Sequence, residues 1–139
     1  MSNTILFEQK APSVMRKLMD DFELEVVKAA GVLGNIGEEC NGFKDLRETN
    51  QPEGRGGYGW CQKSGLNWKA DNANYGYLKV ELLSSERAAV SALLRTTTLA
   101  GAVKAFERNF ERAGTPNYAS RNQWAALALA AYKVGNSQA

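Results

Sequence analysis

Two adjacent glutamates close the most regular apolar stretch of the chain, in the run Gly34-Asn-Ile-Gly-Glu-Glu39-Cys-Asn-Gly-Phe43. A carboxylate in the last turn of a helix faces the negative end of the helix dipole, which disfavours its charged form. Apolar neighbours such as Ile36, Phe43 or Trp60 would desolvate it further. A carboxyl that keeps its proton near neutral pH can hand it to a leaving oxygen, the task of a general acid. The plainer reading is a solvated glutamate near a helix end. A second cluster, Arg55-Gly-Gly-Tyr-Gly-Trp-Cys-Gln62, alternates glycine with aromatic rings beside an amide side chain. Glycine lets backbone approach a ligand closely, and Tyr58 and Trp60 offer flat apolar faces of the kind on which sugar rings stack. Gln62 both donates and accepts hydrogen bonds, as a hydroxyl or N-acetyl group requires. An ordinary hairpin with two aromatic core residues fits the same pattern.

The composition removes most other chemistry. With no histidine among 139 residues, a Ser-His-Asp triad, a Cys-His pair and any histidine-ligated metal are impossible in this chain. Two cysteines, Cys40 and Cys61, cannot build a four-thiolate site. No metal or organic cofactor is expected, and acid–base work falls to carboxylates, lysine or tyrosine. The 17 basic and 15 acidic side chains leave a formal charge of +2, with residues 71–139 carrying eight basic and five acidic groups. That is too little for nucleic-acid binding, though a mildly cationic half suits a polyanionic target such as a bacterial envelope. The longest apolar run, Trp124 to Tyr132, is nine residues, against roughly 20 for a bilayer-spanning helix. Near the N-terminus only Ile5, Leu6 and Phe7 form an apolar stretch, which does not read as a secretory signal.

The elements that must position these residues are mainly helical. With 44% apolar and 23% charged residues, the chain reads as one domain, residues 1–139. Pro12, near a first turn, precedes Val14, Met15, Leu18 and Met19 in a short lead-in helix. Phe22, Val26, Ala29, Leu33, Ile36 and Cys40 alternate steps of four and three, which predicts one helix from about Asp21 to about Glu39, with Asp20, Asp21, Glu23 and Glu25 at its positive end. Gly31, Gly34 and Gly37 lie within it, each about 1 kcal/mol worse than alanine. Close helix packing explains them, with room for a ligand as the alternative. From Asn41 to Gly76 the helical period is lost, and a small glycine-rich hairpin or loop insertion is expected. Beyond it, Leu78 and Leu82 mark a short helix. Ser84 or Ser85 caps another with Val90, Leu93 and Leu94 inward. Thr98 caps a third with the stripe Leu99, Val103, Phe106 and Phe110, leaving Lys104, Glu107, Arg108 and Glu111 for the wet face. Gly114-Thr-Pro116 ends that helix. Asn117 caps the last, with Trp124, Leu127 and Ala131 on one side and a polar tail from about Gly135.

The segment Ala29-Ala-Gly-Val-Leu-Gly-Asn-Ile-Gly-Glu-Glu39-Cys40, followed by Gly-Gly-Tyr-Gly-Trp-Cys-Gln62, resembles the phage tail lysozyme family of peptidoglycan-cleaving enzymes. The family pattern is Ala-Ala-Gly-hydrophobic-hydrophobic-Gly-Asn-hydrophobic-x-x-Glu-Ser, then Gly-Gly-Tyr-Gly-x-x-Gln. Looser similarity continues through Asn74-Tyr-Gly-Tyr77 and Phe106-Glu-Arg-Asn-Phe-Glu-Arg112. The resemblance implies a lysozyme-like helical fold, Glu39 as general acid with Glu38 variable, and Gly57, Tyr58 and Gln62 in the cleft. Trp60 joins them as a platform, and Tyr118 resembles by position the cleft tyrosine of related lytic enzymes. Cys40 replaces the serine of the pattern. The family's Trp-Thr-Gly-Pro-Arg-Arg continuation after the glutamine is replaced by Lys63-Ser-Gly-Leu-Asn67. Either that cleft wall is short here, or a segment is missing and residues 62 and 63 lie further apart than the 3.8 Å of bonded alpha carbons.

Glycoside cleavage asks for a second carboxylate, roughly 5–5.5 Å away for a nucleophile or 6.5–9.5 Å for water activation. Asp45, Glu48 and Glu53 are candidates, and Glu48, between helix end and glycine-rich segment, is the one selected. The function expected is a muramidase cutting the β-1,4 bond between N-acetylmuramic acid and N-acetylglucosamine, acting on the cell wall after release or virion delivery from the host cytoplasm, as a monomer or a virion part. The alternatives are a lytic transglycosylase giving anhydro-muropeptides, a peptidoglycan-binding module without turnover, and a helical interaction protein. If Glu39 and Gln62 share a cleft, Cys40 and Cys61 come close enough for a disulfide. Two buried thiols are the preferred reading.

Overall fold

The computed structural model describes residues 3–46, 60 and 70–137. Its order is α1 (Ile5–Phe22), α2 (Val26–Cys40), α3 (Asp71–Leu83), α4 (Arg87–Leu94), α5 (Leu99–Phe106) continued by a π-helical turn (Glu107–Glu111), and α6 (Tyr118–Ser137). The fold is mainly helical, as expected, and no strand occurs among the described residues. Of the glycine-rich insertion expected from Asn41 to Gly76, residues 47–59 and 61–69 lie outside them, while residues 71–76 belong to α3.

The centre is α2, every residue of which from Lys28 to Gly37 is buried. It packs most extensively on α6, then α5, then α1. The three glycines make this possible. A methyl group at Gly31 would meet Ala102 Cβ at 2.6 Å, one at Gly34 the Arg121 carbonyl oxygen at 2.5 Å and Ala125 Cβ at 2.7 Å, and one at Gly37 the Trp124 ring at 2.7 Å. Close packing is therefore what they serve. Because the obstacle at Gly34 is backbone, Gly34→Ala is expected to destabilise the fold by about 2 kcal/mol through overpacking, despite alanine's better helix propensity. Chemical denaturation measures this, and an unchanged midpoint would mean that α2 and α6 separate freely.

Several boundaries differ from the sequence reading. Pro12 is inside α1 rather than at its start. An interior proline costs about 3 kcal/mol, but the longer helix buries Phe7 and Ala11 together with Val14, Met15, Leu18 and Phe22. A fully buried Phe alone offsets about 1.5–3 kcal/mol, and Phe7 also meets Phe43 and Trp124 at ring separations of 5.7 and 4.8 Å. The helix expected from Asp21 to Glu39 is two helices. Glu23 takes the left-handed conformation (φ 54°) and ends α1, and α2 starts at Val26. Asp20 and Asp21 thus lie at the negative end of α1, against the dipole. Asp21 is compensated by a Tyr75 hydroxyl that donates to it at 2.7 Å and by Lys79 at 3.4 Å, both from α3.

In the second half, α3 begins at Asp71, earlier than read. Neither Ser84 nor Ser85 caps α4, whose N-cap is Glu86, and Ser84 Oγ instead donates to the Val80 carbonyl. Leu94, expected inward, is 49% exposed. Thr98 does cap α5, accepting from Gly101 N at 2.9 Å, and Asn117 accepts from Ser120 N at 3.2 Å. Val103, Phe106 and Phe110 are all fully buried. Glu107, assigned to the wet face, is buried beside them. The π-helical turn adds a residue to the repeat there, which swings that position inward. α6 runs on to Ser137, past the polar tail expected from Gly135.

Candidate functional site

Glu39 occupies the last turn of α2, one residue before its end at Cys40, and its side chain keeps 21% exposure. Its nearest partner is a cation rather than the apolar groups expected. Arg121, at the end of the first turn of α6 and 2% exposed, donates from Nη2 to Glu39 Oε2 at 2.7 Å. The other two guanidinium nitrogens are bonded as well. Nη1 reaches Asn35 Oδ1 at 2.9 Å, and Nε reaches the Pro116 carbonyl oxygen. Asn35 in turn donates from Nδ2 to the carbonyls of Gly31 (3.0 Å) and Val103 (3.1 Å). A buried charge is tolerated only when paired and hydrogen-bonded, and Arg121 meets that condition on three sides. The glycine at position 34 lets the Arg121 backbone sit close enough for its fork to reach one α2 turn further along.

The neighbouring Glu38 accepts from Ser120 Oγ, so both acids are held by the first turn of α6. A second buried carboxylate braces the same region. Glu107 Oε1 accepts from the Tyr118 hydroxyl at 2.5 Å and its Oε2 from Ala113 N at 2.9 Å, tying the π-helical turn to both sides of the segment that leads into α6. The bond to Glu107, and then burial, hold the Tyr118 phenol above its ordinary pKa. Its proton is committed to Glu107, and only oxygen lone pairs are left for a ligand.

The floor beneath the α2 terminus is aromatic. Phe43, four residues past Glu39, meets Trp60 edge-on at 5.3 Å, and Trp60 N donates to Asn74 Oδ1 at 3.1 Å. Trp60 is 2% exposed. It joins the core under the site, where its faces are covered, in place of the open sugar platform expected. Cys40 is a fully buried free thiol whose Sγ donates to the Ile36 carbonyl at 3.1 Å. Burial pushes it up to about 12, from an ordinary value near 8.5. A raised value in the folded state means stability that is complete below the unfolded pKa and is lost as pH rises toward 12. In a Cys61→Ser background, a thiol reagent at pH 8 is therefore expected to label Cys40 only after denaturant is added. Rapid labelling of the native protein would contradict the burial.

Of the candidate catalytic and substrate-binding residues read from the sequence, Glu39, Asp45, Trp60 and Tyr118 are described. Arg121 connects the turns bearing Glu39 and Tyr118, and Phe43 connects those bearing Glu39 and Trp60. Glu48, Gly57, Tyr58, Gln62 and Cys61, with the junction of residues 62 and 63, lie outside the described residues. Asp45 accepts from Asn41 Nδ2 at 3.2 Å. The sequence reading missed Asn35, Glu107 and Arg121. Each sits on an apolar stripe, Asn35 among Val32, Leu33 and Ile36, Glu107 beside Phe106 and Phe110, Arg121 ahead of Trp124, Ala125 and Ala128. A polar residue on the buried side of a helix was the available signal. Among the described residues no three His, Cys, Asp or Glu side chains are grouped to hold a metal, and no helix is long and apolar enough to cross a membrane.

The fold, a helical domain built around a central glycine-bearing helix whose end carries a carboxylate held by a buried arginine, is consistent with a lysozyme-like class of protein. The chain belongs to the phage tail lysozyme family, whose model matches residues 9–132. No curated protein and no solved structure matches it. Membership in this family points to lytic action on peptidoglycan, and so to the bacterial cell wall.

Proposed function

We propose that the protein is a muramidase that hydrolyses the β-1,4 bond between N-acetylmuramic acid and N-acetylglucosamine, with Glu39 as general acid. The observation that carries this reading is the arrangement of Glu39: half-buried, at the helix end where the family pattern puts its glutamate, and, among the described residues, bonded through Oε2 to Arg121. A guanidinium has five donors and no acceptor. When Glu39 carries a proton, that proton therefore sits on Oε1, the oxygen Arg121 leaves open. It is transferred from there to the glycosidic oxygen, and the guanidinium then faces a full carboxylate without having to move, which is preorganised stabilisation of the charge that forms.

Glu48 is proposed as the second carboxylate, stabilising the sugar cation or activating water. The glycan lies across Tyr58 and Gln62, with Gly57 allowing close backbone approach and Tyr118 accepting a hydrogen bond from the sugar. Trp60 serves this site from beneath. No metal or cofactor enters the scheme. The test is mass spectrometry of muropeptides released from purified peptidoglycan. Hydrolysis yields reducing ends. Anhydro ends, lighter by one water, would replace this proposal by a transglycosylase in which the sugar's own hydroxyl attacks, and binding without release would leave a module that has lost turnover.

A further inference from the structure

The outer side of α5 and the turn that follows it hold a depression of about 490 Å³ lined by Gly101, Lys104, Ala105, Arg108 and Asn109. Its shape follows from residue size, since Gly101 and Ala105, four apart on one helix face, form a low floor between longer side chains. Lys104 and Arg108, also four apart, are exposed, and neither has a salt bridge among the described residues. Like charges at that spacing repel one another, so the pair favours an anion arriving from outside. Asn109 donates from Nδ2 to the Ala105 carbonyl at 2.8 Å, which leaves its own carbonyl oxygen to accept from an N–H group. Two cations beside an amide acceptor match a peptide bearing a free carboxylate better than a sugar or a phosphate chain.

The position relative to Glu39 gives this chemistry a source. Lys104 Nζ lies 5.9 Å from the centroid of the Tyr118 ring, and Tyr118 begins the helical turn that ends at Arg121, the partner of Glu39. One ring and one turn of α6 separate the depression from the acid. Peptidoglycan carries its peptides on N-acetylmuramic acid, so a peptide leaving a sugar bound at Glu39 has this distance to cover. We propose that the depression is a subsite for a free carboxylate of the glycan-borne peptide, with Lys104 and Arg108 as its counter-charges. The assignment rests on the muramidase reading above.

The test compares peptidoglycan with its peptides intact and glycan strands stripped of peptide by an amidase. The double variant Lys104→Gln with Arg108→Gln is expected to lose about tenfold in kcat/KM on the first, through KM, and to match the unaltered protein within about twofold on the second. Arg16→Gln with Lys133→Gln, exposed cations elsewhere, makes the same charge change and is expected to lose nothing on either. Equal losses on both substrates, no loss on either, or equal loss in the control pair would overturn the subsite. If the unaltered protein cleaves neither substrate, the muramidase reading fails and the subsite is judged by binding alone. A soluble disaccharide-peptide must then shift the amide signals of residues 101–109 while the disaccharide does not. Absence of that shift, or its appearance with inorganic phosphate alone, rejects the peptide assignment.

Discussion

Glu39→Gln is expected to lower the rate of peptidoglycan clearing by about a thousandfold or more while leaving the fold intact, the magnitude typical of removing a positioned general acid. The glutamine keeps an oxygen for Arg121 Nη2, so the contact at 2.7 Å can persist and the helix end need not rearrange. What disappears is the transferable proton on the other oxygen. Circular dichroism at the assay temperature would show the native helices preserved, a thermal melt would measure the stability lost with the ion pair, and turbidity clearing would show the loss of activity. Undiminished clearing by this variant would remove Glu39 from the mechanism and with it the proposed reading of the site. The glutamine leaves the buried Arg121 guanidinium hydrogen-bonded but without its counter-charge, so some stability is expected to be lost, and clearing is compared at a temperature where both proteins are folded.

Arg121→Met is expected to have the largest effect on stability of any single substitution in this region, about 3 kcal/mol, or roughly 10 °C in the melting temperature. Methionine fills much of the same volume, but it leaves the Glu39 carboxylate without its cation and Asn35 Oδ1 and the Pro116 carbonyl without their donors. Breaking one side of a buried ion pair costs more than the pair itself contributes, because the partner stays behind with its desolvation unmatched. Arg121→Lys should fall between the two, since one ammonium cannot reach three acceptors arranged around a planar fork. The double variant Arg121→Met with Glu39→Gln should lose less than the sum of the single losses, the mark of direct coupling. A melting temperature for Arg121→Met equal to that of the unaltered protein would mean that the arginine is a passenger in the core.

How far the sequence was legible varies with the kind of information each segment carries. The stripe Val103, Phe106, Phe110 and the caps Thr98 and Asn117 were readable because each is decided by near neighbours in the chain. The boundary between α1 and α2 was not. Phe22, Val26, Ala29 and Leu33 keep helical spacing straight through the break, and nothing local marks Glu23 as the left-handed residue that ends α1. Pro12 misled in the opposite direction, since its local preference for a first turn is outweighed by the burial of Phe7 one turn earlier. Glu107 looked like a surface charge until the π-helical turn carried it inward onto Tyr118.

Residue type and order alone determined the exclusion of histidine and thiolate metal chemistry, the mainly helical fold, the family, and Glu39 as the acid to consider. These depend on composition and on short-range spacing, which a sequence displays directly. That Glu39 would be held by Arg121, 82 positions further on, was decided only by tertiary structure. The pairing exists because three glycines bring α2 against α5 and α6 at backbone distance, and a contact between helix faces is a property of how two surfaces meet, which neither surface carries by itself.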